Sequence, residues 1–110
     1  MLTRNVTEYI DEYGYSPFGK WFSSINPVAA AKVSTALYRL QQGNTSNTKS
    51  VGKGVFEYKI DFGAGYRVYF GQDGAICVIL LCGGTKKCQT ADIKQACRYW
   101  ADYKKRKQEY

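Results

Sequence analysis

The chain reads as one α+β domain spanning residues 1–110, with a mainly antiparallel sheet, an N-terminal helical hairpin and a C-terminal helix. Three patterns predict this. Two proline-opened stretches carry apolar residues at helical spacing. Two alternating segments flank a glycine-rich turn, as in a β-hairpin. An apolar run of strand length is then followed by a third amphipathic stretch. At 110 residues the chain is near the common size of a single domain. Its 45% hydrophobic content is enough to build a core.

Along the chain, "RNVTEYI" (Arg4–Ile10) is ambiguous and able to form one more strand. Ser16 is placed to cap a helix, with Pro17 at its first position. Phe18, Trp21, Phe22 and Ile25 then make a single apolar stripe. Asn26 and Pro27 repeat the device, followed by a stripe of Ala29, Val33, Ala36, Leu37 and Leu40, and Gly43-Asn44 stops the helix. Residues 44–54 read as a polar loop. "VFEYKIDF" (Val55–Phe62) and "YRVYFG" (Tyr66–Gly71) alternate across "GAG". "AICVILLC" (Ala75–Cys82) does not alternate, which predicts a strand covered on both faces. After the loop "GGTKKCQ", Thr90 is expected to cap a helix with Ile93, Ala96, Cys97, Trp100 and Tyr103 on one side. Asp92 suits the positive N-terminal end of that helix.

Sixteen Lys and Arg against nine Asp and Glu leave a net charge of +7. Such a field favours nucleic acid first and an acidic protein second, although a solvated basic face accounts for the same count. The first residues, "MLTRNVTEYIDEYG", contain no apolar signal-peptide region. No stretch approaches the roughly 20 apolar residues of a membrane span. A cytoplasmic protein without membrane association is the expectation. There Cys77, Cys82, Cys88 and Cys97 are expected as thiols, with Cys77, Cys82 and Cys97 serving as small buried apolar residues. Their spacing fits no zinc pattern and histidine is absent, so neither a metal nor another cofactor is expected.

Alternation gives the hairpin two faces. Phe56, Tyr58, Ile60, Phe62, Tyr66, Val68 and Phe70 share one, as core candidates. Glu57, Lys59, Asp61, Arg67 and Tyr69 share the other. On that second face Arg67 has a plain reading, an exposed cross-strand pair with Glu57 or Asp61. It also has a functional one. Lys53 leads into the hairpin, and Lys86 and Lys87 leave the following strand, in glycine-flanked loops that let a backbone come close to a ligand. Cations for phosphate and Tyr69 for base stacking would make a site for single-stranded RNA. The run "KKRK" (Lys104–Lys107) reads either as a cationic helix end or as a contact with nucleic acid or a partner.

The ordered set "GN", "K-x-V-G-x-G-V-x-E", "G-x-G-Y-R-V-Y-F" and "L-L-x-G-G-x-K-x-x-Q-x-x-D-I", from about Phe18 to Ala96, resembles a family of small bacterial toxins. That family is the HigB-like "addiction module killer protein" branch of the RelE/ParE toxin superfamily. The resemblance implies a twisted RelE-like sheet with a helical hairpin on one side. It also implies a toxin neutralised by a HigA-like helix-turn-helix antitoxin, and cleavage of messenger RNA on the translating ribosome. ParE-type relatives share the fold but poison DNA gyrase, so fold alone does not decide the activity. By the same resemblance Arg67 matches the arginine that holds the scissile phosphate, and Lys59 a basic position on the preceding strand. Lys86 and Lys87 fall in the basic catalytic loop. Lys53, Glu57, Tyr69 and Gln89 are carried as RNA-binding candidates. The tyrosine that RelE carries after that loop is replaced here by Cys88, Gln89 and Thr90, and the histidines of some HigB relatives are missing.

Cleavage by 2′-hydroxyl attack needs a proton acceptor, stabilisation of the phosphorane and a proton for the leaving oxygen. Without histidine, a lysine whose pKa is lowered by neighbouring cations is the expected acid or base. Arg67, able to grip two phosphate oxygens, suits the transition state. A gyrase poison, an RNA-binding module without catalysis and an inactive toxin-like scaffold remain the alternatives.

Overall fold

The computed structural model describes residues 3–108, and within them the chain forms β1 (Asn5–Glu8), α1 (Pro17–Ser24), α2 (Pro27–Gln41), β2 (Thr48–Gly52), β3 (Val55–Ile60), β4 (Tyr66–Asp73), β5 (Cys77–Gly84) and α3 (Gln89–Gln108). A short 3-10 turn, Lys86–Cys88, leads into α3. The strands make a five-stranded mixed sheet in the order β1-β5-β4-β3-β2. Only the β1–β5 pair is parallel. The α+β class and the mainly antiparallel sheet are as the sequence predicts, and the ambiguous first segment is a strand.

Local chemistry sets the helix starts. Ser16 Oγ accepts from the Gly19 N–H at 2.9 Å, and Asn26 Oδ1 accepts from the Ala29 N–H at 2.9 Å. Each satisfies one of the donors that a helix N-terminus leaves orphaned. The prolines that follow have no N–H to lose. The two stripes then meet one face of the sheet. Phe18, Val33, Ala36 and Leu40 are buried with Tyr58, Ile60, Val68, Phe70, Val78 and Leu80.

The opposite face is covered by α3, so the sheet lies between two helical layers. Ala96 and Trp100 pack on Val55, Tyr69, Ile79 and Leu81. Gly71 makes this possible, because a Cβ there would collide with the Trp100 indole. A bulge in β5 helps to fill the same layer. Tyr69 pairs with Cys82 and Phe70 with Leu80, so Leu81 is the extra residue and both Leu81 and Cys82 join the α3 side. Of the cysteines, Cys82 is buried, Cys77 and Cys97 are half-buried and Cys88 is exposed. Burial pushes the Cys82 thiol up to about 12.

Two boundaries differ from the sequence reading. Residues 48–52, expected within a polar loop, form the edge strand β2. An edge strand with a single half-buried apolar residue, Val51, carries no alternating signal. Thr90 does not cap α3: the helix opens one residue earlier, from the 3-10 turn, with Thr85 as that turn's cap residue.

The far end of α3 is tied down by its basic run. Arg106 meets Asp102 at 2.9 Å and also donates to the Ile10 carbonyl, while Asp102 accepts from Tyr9 at 2.5 Å. Lys107 and Tyr103 both donate to Asp73 at 2.6 Å. Two of the four "KKRK" cations therefore anchor the helix, Arg106 to the segment after β1 and Lys107 to the end of β4.

Candidate functional site

Arg67 lies in β4 with Lys59 opposite it on β3 and Gly84 opposite it on β5. Its Nη1 donates to the Gly65 carbonyl at 2.5 Å. Its Nε lies 3.7 Å from Glu57 Oε1, with side-chain exposures of 6% for the arginine and 1% for the glutamate. No hydrogen bond satisfies that sealed Nε. Glu57 has two further partners: Gln89 Nε2 donates to Oε2 at 2.8 Å, and the exposed Lys49 ammonium lies 3.9 Å from Oε1. The pairing with Glu57 foreseen as the plain reading is therefore present, but beneath α3 instead of on an open face. Buried charges of this kind are tolerated only when paired and hydrogen-bonded.

Around this pair lies an inner polar layer. Tyr69, opposite Glu57, is 0% exposed, and its hydroxyl has no hydrogen-bond partner. Burial and then the nearby Glu57 carboxylate push its phenol well above the ordinary tyrosine range. The expectation that Tyr69 stacks on a base meets a physical obstacle, since its ring is enclosed by the packing of α3. Asp92, in the first turn of α3, also has a sealed oxygen without a partner, and burial raises its carboxyl. Glu57 and Gln89 bind one another, so both reach the site from within.

The outer layer is cationic. Lys59, Lys86 and Lys87 are all exposed. The Lys86 N–H donates to the Ala64 carbonyl at 3.3 Å, docking the basic loop on the β3–β4 turn. Gly65 is the pivot. It holds φ at +78°, and a Cβ on it would lie 3.0 Å from Arg67 Nη1 and 3.3 Å from Lys86 Cβ. Only a residue without a side chain lets the guanidinium and the lysine stem flank this backbone so closely. Beside Lys59 a groove of about 390 Å³ opens between residues 46–49 and the outer ends of Glu57, Lys59 and Asp61.

The structure thus brings Arg67, Lys59 and Lys86 to one end of the sheet, with Lys87 next in the chain. Glu57, Tyr69 and Gln89 lie beneath them. Lys53 does not join them. It occupies the β2–β3 turn at φ 56°, at the other end of β3. The four residue steps from Val55 to Lys59 alone span about 13 Å of strand. The sequence reading passed over Lys49, because its strand had no legible pattern. Among the described residues no three His, Cys, Asp or Glu side chains cluster as metal ligands would. No described helix is long and apolar enough to cross a membrane.

In chemical terms the end of the sheet is an anion-attracting surface. Three exposed ammonium groups lie around a buried guanidinium that is paired with Glu57. A bound phosphate could draw on the lysines directly and on Arg67 through its outer end.

No protein-family profile matches the chain. It is 50% identical over 80 residues to a Haemophilus influenzae protein described as an "Uncharacterized protein", an alignment covering 72% of this chain and 81% of the relative. At that identity and coverage, the chain belongs to the same protein family as the Haemophilus influenzae protein.

Proposed function

We propose that the protein is the toxin of a type II toxin–antitoxin module, of the HigB-like branch of the RelE/ParE superfamily. In this reading it is a cytoplasmic endoribonuclease that cuts messenger RNA on the translating ribosome and needs no cofactor. A HigA-like helix-turn-helix antitoxin neutralises it. The observation that carries the reading is the meeting of Arg67 and Lys86 across Gly65, with Lys59 opposite Arg67 on the neighbouring strand. The two strands of the β3–β4 hairpin and the loop after β5 place cations at one end of the sheet, as suits phosphate handling.

In the proposed reaction the 2′-hydroxyl gives up its proton to water as its oxygen attacks the adjacent phosphorus, and the 5′-oxygen leaves, giving a 2′,3′-cyclic phosphate. Arg67 and the lysines meet the charge that develops on the non-bridging oxygens. One exposed ammonium gives its proton to the leaving oxygen, and the ribosome supplies the bent geometry that aligns attack.

One observation favours a second reading, in which the same surface binds RNA or a protein target such as gyrase without cutting. Arg67 is almost wholly buried and already engaged by Glu57 and Gly65. Induction in growing cells separates the two. Growth arrest with cleaved messenger RNA, abolished by combining Lys59→Ala, Lys86→Ala and Lys87→Ala, is the expected result. Arrest with intact messenger RNA and induction of the DNA-damage response would replace the nuclease by a gyrase poison.

A further inference from the structure

A second surface lies away from the Arg67 end. β2 is the last strand of the sheet, so among the described residues one side of its backbone has no strand partner. Between this strand and α3 runs a groove of about 630 Å³. Its floor is apolar: Val51 from β2, with Ile93, Cys97 and Ala101 at four-residue spacing along α3. Its rim is Lys53, Lys94 and Arg98, and no acidic residue among the described ones lines it.

A lysine beside an edge strand, as Lys53 is in the turn after β2, commonly serves only to discourage sheet-to-sheet association. That role does not account for Lys94 and Arg98, which come from the helix. Spaced four apart on its surface, they repel one another and weaken the helix slightly. Among the described residues none of the three rim cations has an acidic partner within ion-pair reach. Arg98 instead donates to the neutral Gln95 carbonyl oxygen at 3.2 Å through Nε. An apolar floor with an uncompensated cationic rim, beside an unpaired strand edge, suits one kind of occupant.

We propose that this groove docks an acidic, extended segment of a partner protein. The segment adds to the free edge of β2 through main-chain hydrogen bonds. Its alternate apolar side chains enter between Val51 and the Ile93–Cys97–Ala101 stripe, and its carboxylates meet Lys53, Lys94 and Arg98. RNA fits this surface less well, because the floor offers no aromatic face for a base. The inference does not depend on whether the Arg67 end cleaves RNA.

The test is an unbiased selection of random twelve-residue peptides displayed against the full chain. The selected peptides are then measured by fluorescence anisotropy against two charge-reversed variants. One combines Lys53→Glu, Lys94→Glu and Arg98→Glu. The other makes the same change in net charge elsewhere, with Lys20→Glu, Lys32→Glu and Arg39→Glu. Selected peptides should alternate acidic with apolar residues and lose at least ten-fold in affinity on the first variant only. Their amide-shift footprint should fall on Val51, Ile93 and Cys97. Equal losses on both variants, or no selected binder, would overturn the proposal. So would a footprint on this groove made instead by a twelve-nucleotide uridine RNA.

Discussion

Replacing Arg67 by alanine tests the structure before it tests any activity. Glu57 is enclosed, and Arg67 is its principal cation, with Nε at 3.7 Å. Removing one member of a buried ion pair leaves the other uncompensated, at a cost of about 3–5 kcal/mol. Here the separation is longer than a hydrogen bond. Gln89 also still donates to Glu57 at 2.8 Å, and Lys49 remains 3.9 Å away, so the lower end applies. A loss of about 3 kcal/mol is a large share of the 5–15 kcal/mol that stabilises a typical domain. With a urea dependence of roughly 1.5 kcal/mol per molar, the unfolding midpoint falls by about 2 M. Arg67→Met combined with Glu57→Gln removes both charges, so it should recover part of the loss. A coupling energy of about 1–2 kcal/mol between the two positions is expected. Urea melts of the wild type, Arg67→Met, Glu57→Gln and the double variant give the cycle, with Arg67→Ala measured beside them. An Arg67→Ala loss below about 1 kcal/mol, or strictly additive singles, would refute the claim that the pair is buried and coupled. An exposed cross-strand pair would contribute only about 0.2–1 kcal/mol; the burial of Glu57 is what raises the expected cost.

Other consequences can be measured on the same material. Gly65→Ala forces an L-residue to φ +78° and sets a methyl 3.0 Å from Arg67 Nη1, so it should destabilise by roughly 1–2 kcal/mol and displace the basic loop, seen as amide-shift changes at Lys86. Gly71→Ala places a methyl into the Trp100 ring and should cost more, about 3 kcal/mol, with a change in tryptophan fluorescence. Hydrogen bonds from Lys107 and Tyr103 hold the Asp73 carboxyl below its ordinary value of 3.8, and the bond from Tyr9 does the same for Asp102. The folded state then binds fewer protons than the unfolded one, so this stability is complete above that value and is lost as pH falls through the lower folded values. Urea melts from pH 6 to 2 should show the loss, and Asp73→Asn with Asp102→Asn should flatten it. Asp92 has the opposite sign: burial raises its carboxyl, so its cost appears as pH rises through the carboxylate range. Asp92→Asn should therefore stabilise the protein near neutral pH and not at pH 3.

How far the sequence carried depended on the type of signal. Helical stripes and capping residues were legible because each is local: Ser16-Pro17 and Asn26-Pro27 act within four residues of themselves. The hairpin faces were legible for the same reason. β2 was not, because the edge strand "TKSVG" is mostly exposed and buries no alternate side. The burial of Glu57, Arg67 and Tyr69 was missed because charged residues at alternate positions look like an outward face. A signal was nevertheless present. The non-alternating run in β5 requires cover on both faces, and the stripe of α3 needs a sheet to rest on. Together they place a helix over the Arg67 face. The convergence of Lys86 on the Arg67 end follows from β5 pairing with β4, the strand before it, which the sequence could suggest only on condition of that pairing. Lys53 illustrates the converse: it is close to the site's residues in sequence and remote from them along β3.

The most direct test of the central claim is a purified translation reaction, followed by mapping of messenger RNA 5′ ends. It is run with the wild type and with the exposed-lysine variant combining Lys59→Ala, Lys86→Ala and Lys87→Ala, which leaves the buried pair intact. The account predicts new ends at codon-spaced positions, only when ribosomes are present, and reduced at least 100-fold in the variant. Intact messenger RNA with the wild type, or undiminished cleavage by the variant, would contradict it.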